Sequence, residues 1–140
     1  MHKILLLVGG ILNLIFGLLH LSLGKALNWR ETLSCLSLDN QATVYTLNAH
    51  LAFICLAFAY FSLFQRKDLL TTRIGQAVTA AIGLFWILRA VNQVVFYGVS
   101  APDTPFWVIV CLVVSSIYLI PTAWKRSTAP APMPSQGEIS

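Results

Sequence analysis

Four stretches of this chain stay apolar long enough to cross a hydrocarbon core, which takes about 20 residues of helix. They run over 4–24, 43–64, 74–98 and 105–124, with polar connections between them. The pattern predicts an all-α polytopic membrane protein, a four-helix bundle filling 1–126. The tail, 127–140, carries Ala-Pro-Ala-Pro-Met-Pro and predicts disorder. Within span 1, Asn13, Gly17, His20 and Gly24 are spaced by 4, 3 and 4 residues and share one helical face. Small residues on one stripe let another backbone approach, so this stripe faces a neighbouring helix or supports a homodimer.

The connections read in the same way. In the 25–42 segment, Leu27, Trp29, Leu33, Leu36 and Leu38 are interspersed with Arg30, Glu31, Ser34 and Asp39. That predicts a short amphipathic piece in the interface, acting as an anchor or as a lid, with Trp29 as a belt residue. Asp39 or Asn40 is the expected cap of span 2, and Thr71 or Thr72 that of span 3. Pro121 is expected to end or kink span 4.

Composition sharpens the class. Hydrophobic residues make up 57% and charged residues 10% of the chain, against about 25% charged in soluble domains. The formal charge of +4 is explained by topology, not by nucleic acid. Lys3, Arg66, Lys67, Arg73, Lys125 and Arg126 fall on one side of a four-span chain, and Lys25, Arg30, Glu31, Asp39 and Asp103 on the other. The positive-inside rule then puts both termini in the cytoplasm, with membrane lipids as neighbours. The expected location is a bacterial inner (cytoplasmic) membrane. The first apolar run exceeds the ~7–15 residues of a signal-peptide core and lacks a clear A-x-A site, so it reads as a retained helix. Cys35, Cys55 and Cys111 contain no C-x-x-C pair, which disfavours dithiol chemistry.

The most informative residue is Arg89, set in Gly83-Leu-Phe-Trp-Ile-Leu-Arg89-Ala-Val-Asn92-Gln93. A charge at such depth costs about 2.5–3.5 kcal/mol on insertion scales and usually faces a bundle interior or a wet cavity. No Asp or Glu lies within any span. The guanidinium is therefore satisfied by amides and carbonyls, or by a bound anion, whose carboxylate or phosphate its planar fork suits. Trp86, Arg89, Asn92, Gln93 and Phe96 fall on one face of span 3, and Trp86 and Phe85 are placed to stack on the cation. His20 and His50 lie at a similar depth, about 6 Å and 10 Å inside the outer ends of spans 1 and 2 at 1.5 Å per residue.

Three readings follow. In the first, a small anionic or amphipathic ligand (lipid headgroup, quinone or carboxylate) occupies an outer-leaflet pocket. Arg89 takes the anion, Asn92, Gln93 and His50 orient it, His20 lies nearby, and Trp86 and Phe96 form the wall. In the second, His20 and His50 ligate haem b in a redox subunit. In the third, Arg89 snorkels, the amides staple helices, and the chain is an accessory subunit with no ligand. Two histidines without a carboxylate or nearby cysteine make an incomplete zinc or copper set. A hydrolase or proton-driven transporter lacks a carboxylate relay, so the chain reads as more binding protein than enzyme.

The size, the four-span layout and the run Gly10…Gly17-Leu-Leu-His20 resemble the DoxX-like group of small bacterial membrane proteins. The resemblance implies a four-helix membrane fold in a functionally diverse group, some of whose members are linked to quinone or thiol redox systems. It carries over no site residue, and the Arg89–Gln93 cluster departs from it.

Overall fold

The computed structural model describes residues 2–127, all helices and connections. Four long helices are present: α1 (His2–Ala26), α3 (Leu38–Phe64), α5 (Arg73–Tyr97) and α6 (Thr104–Ser127). Two short ones bridge them, α2 (Trp29–Thr32) between α1 and α3, and α4 (Arg66–Thr71) between α3 and α5. All four long helices are long and apolar enough to cross a membrane. Their outward surfaces agree: Phe53, Leu88, Val95 and Ile109 are all more than half exposed, which a water-facing domain does not tolerate over so wide an area. The tail beyond Ser127 lies outside the described residues.

The spans begin and end where their caps dictate. α3 starts at Leu38, five residues before the expected 43, because the Ser37 side chain accepts from the Asn40 N–H. Asp39 and Asn40 are thereby inside the first turn instead of capping it, and Asp39 there complements the helix dipole. Thr72 caps α5 as expected, accepting from the Gly75 N–H at 2.9 Å. Gly98, at φ 78°, ends that helix in a conformation glycine adopts without strain. Pro121 does not end α6, which continues to Ser127. A proline there removes one backbone hydrogen bond, and burial of the ring helps to offset that loss.

α1 packs on α3 and α5 packs on α6, while α1 also meets α6. The glycines explain these approaches. A Cβ on Gly10 or Gly17 would lie 2.8 Å from Leu63 or Leu56 of α3, and one on Gly9 would lie 2.7 Å from Tyr118 of α6. The glycine stripe is therefore engaged within the chain, and a homodimer through it would have to displace α3. Trp29, the expected belt residue, is half-buried. It packs edge-on against Tyr45, ring centroids 5.4 Å apart, beside Gly24.

The interior is centred on Leu6, Ile82, Trp86, Val114 and Tyr118. It also holds a polar hub to which each long helix contributes one side chain. The Asn13 amide donates to the Tyr118 hydroxyl at 2.9 Å and to the Gly9 carbonyl of its own helix at 2.9 Å. The Trp86 indole N–H donates to Asn13 Oδ1 at 3.3 Å, and Ser62 and Tyr118 share a hydrogen bond of 2.8 Å. All four residues are buried. Sequence reading treated Asn13 as a stripe residue and Trp86 as pocket wall, and it missed Ser62 and Tyr118 as polar partners.

Candidate functional site

Above this hub, toward the end of the molecule that carries α2, lies a cavity of about 420 Å3. Its walls come from α1 (Phe16, Leu19, His20, Leu23), α3 (Leu51, Cys55), α5 (Phe85, Trp86, Arg89, Gln93, Tyr97) and α6 (Thr104, Trp107, Cys111). Leu27 and the turn Ala101-Pro102-Asp103 complete the mouth. The contribution of α5 to the lining follows from helix periodicity: positions 86, 89, 93 and 97 recur every three to four residues and present one face of α5.

Arg89 is half-buried on this wall, and its Nη1 donates to Gln93 Oε1 at 2.8 Å, one turn toward the mouth. Among the described residues it has no other hydrogen-bond partner and no ion pair. Gln93, 3% exposed, gives its oxygen to this bond, which leaves its amide hydrogens without a protein partner. The expected stacking of Trp86 or Phe85 on the guanidinium is replaced by other contacts. Trp86 packs against Phe16 at 4.8 Å and Phe85 at 5.9 Å, with its N–H held by Asn13.

His20 is fixed by Asn48 of α3. Asn48 Nδ2 donates to the His20 carbonyl at 2.7 Å, and His20 Nδ1 lies 2.8 Å from Asn48 Oδ1. The Asn48 oxygen can only accept, so Nδ1 carries the proton and Nε2 is left as an acceptor.

Of the seven residues expected at the site, the fold brings His20, Trp86, Arg89 and Gln93 onto one cavity. His50, Asn92 and Phe96 do not line it. His50 is exposed, with Nδ1 2.7 Å from the Thr46 carbonyl of its own helix. It stands about 200° around the helix from Asn48, the residue that faces His20. The two histidines therefore do not meet, and the haem reading is left without its second ligand. Phe96 is 77% exposed, and Tyr97, one position on, takes the wall in its place.

Two polar residues at the cavity were not found by sequence reading. Asp103 is exposed and sits on the rim. Thr104, the first residue of α6, is 3% exposed, and its hydroxyl is buried without a hydrogen-bond partner. The only signal for them was their place just before the last apolar run, which reads equally well as an ordinary turn. No group of three or more His, Cys, Asp or Glu capable of holding a metal occurs among the described residues. No family model, curated protein or solved structure matches this chain.

Proposed function

We propose that this chain is a four-helix membrane bundle of a bacterial cytoplasmic membrane, with both termini inside, that binds a small anionic or amphipathic ligand in the cavity around Arg89. The orientation is supported by the bias of Lys3, Arg66, Lys67, Arg73, Lys125 and Arg126 toward the α4 end. The cavity then opens to the outer leaflet. One observation carries the binding reading: a half-buried guanidinium on a cavity wall whose single partner is a neutral amide. Burying a charge without a counter-charge is costly, and an oxyanion would supply that charge with the geometry the fork accepts. The apolar walls from Phe16, Leu19, Leu23 and Leu51 suit the rest of an amphipathic molecule.

Arg89→Gln tests this directly. Protein purified in mild detergent is extracted and the co-purifying small molecules are compared by mass spectrometry. The expected result is loss of a bound species from Arg89→Gln, partial retention in Arg89→Lys, and an unmoved thermal transition. If the same species remain and the transition falls, Arg89 is a packing residue and the binding reading is wrong.

A further inference from the structure

The cavity holds its charges in a fixed order. Arg89 is its permanent cation and Asp103 its carboxylate, and they form no ion pair with each other. The guanidinium is tied to Gln93, four residues or about 6 Å of helix below Tyr97 at the mouth. Asp103 lies outside the first residue of α6, on the rim. Positive charge is thus inside and negative charge at the entrance. A plain anion would meet the like charge of Asp103 on its way in, and a plain cation would meet Arg89 at the end. A molecule with its anionic group leading and its cationic group trailing satisfies both.

The uncommitted hydrogen-bonding groups follow the same order. Besides the guanidinium, the inner donor is the Gln93 amide. Toward the mouth stand an acceptor and a π-face, Asp103 and the ring of Tyr97, which attract an ammonium. An α-amino acid carries its charges one carbon apart and does not span this separation. An ethanolamine phosphate does, and its phosphate uses several donors at once.

We propose that the cavity takes a zwitterionic headgroup of the phosphoethanolamine type, phosphate inward on Arg89 and Gln93 and ammonium outward on Asp103. This rests on the reading of the cavity as a binding site. It also selects among that reading's ligands, since it excludes a neutral quinone and a simple carboxylate.

The test is a tryptophan-fluorescence titration of the full chain in dodecylmaltoside, because Trp86 and Trp107 both line the cavity. The probes are dihexanoylphosphatidylethanolamine, dihexanoylphosphatidylglycerol and O-phosphoethanolamine. The ethanolamine lipid is expected to bind about tenfold more tightly than the glycerol lipid, the scale of one added charge contact. Asp103→Asn removes that preference, and Arg89→Gln weakens both lipids. O-phosphoethanolamine binding as well as the lipid marks a free metabolite; binding that needs the chains marks a lipid. Equal binding of the two lipids, unchanged in Asp103→Asn but lost in Arg89→Gln, overturns the zwitterion and leaves an anion site. No response to any probe, with Arg89→Gln indistinguishable from the parent, overturns both readings. Asp103 is exposed, so its variant is not confounded by misfolding.

Discussion

Replacing Tyr118 by phenylalanine removes one oxygen, leaves the Ser62 hydroxyl without a partner and takes from the Asn13 amide one of its two acceptors, the other being the Gly9 carbonyl. A buried group left unsatisfied costs about 1–3 kcal/mol. Tyr118→Phe is therefore expected to lower stability by that order in a detergent unfolding titration. Ser116→Ala, at an exposed hydroxyl that bonds only its own helix, is expected to stay within about 0.5 kcal/mol of the parent. A wild-type-like Tyr118→Phe would mean that the hub contributes no stability. Arg89 was legible in the sequence because a charge within an apolar run is conspicuous on its own. Asn13 and Tyr118 were not, because their meaning lies in a pairing across 105 residues. Thr104 is harder still, since only the packing around it distinguishes a buried orphan hydroxyl from a turn residue. The reverse error at Phe96 arose because positions 96 and 97 differ by 100° on a helix, and no sequence rule chose between them.

The four long elements could be read directly from the length of their apolar runs, and their ends less well. The start of α3 was misplaced because Ser37, Asp39 and Asn40 are all good caps, and only the fold selects among them. α4 was not expected as a helix. It buries Leu69 and brings the Asp68 carbonyl against Gly75 of α5, where a Cβ would overlap that oxygen. Gly75→Ala is accordingly expected to destabilise by about 1–3 kcal/mol, the usual cost of overpacking, despite alanine's better helix propensity. Gly24→Ala provides the contrast. Its Cβ would meet Trp29 and Tyr45 at ordinary contact distances of 3.5 and 3.6 Å, so it is expected to be neutral or mildly stabilising in the same titration. If both variants behave alike, close approach of α4 is not what holds that corner.

For the molecule as a whole, sidedness decides what the cavity can see. Cys35 is exposed, whereas Cys55 and Cys111 are buried, so the chain carries one natural accessible thiol. In the proposed orientation, with both termini in the cytoplasm, a membrane-impermeant maleimide added to intact cells should label Cys35. A Lys67→Cys variant in a Cys35→Ser background should react only after the membrane is opened. The opposite pattern would turn the cavity toward the cytoplasm. The hub at Asn13 also bears on how the chain is made. Its partners Trp86 and Tyr118 lie 73 and 105 residues further on. At about 5–20 residues per second of synthesis, the first helix waits several seconds in the bilayer before the last one arrives. During that interval the amide has the Gly9 carbonyl of its own helix to donate to. An asparagine so placed lets α1 enter the membrane alone; its bond from Trp86 can form once α5 docks, and its bond to Tyr118 closes only when the final helix has docked.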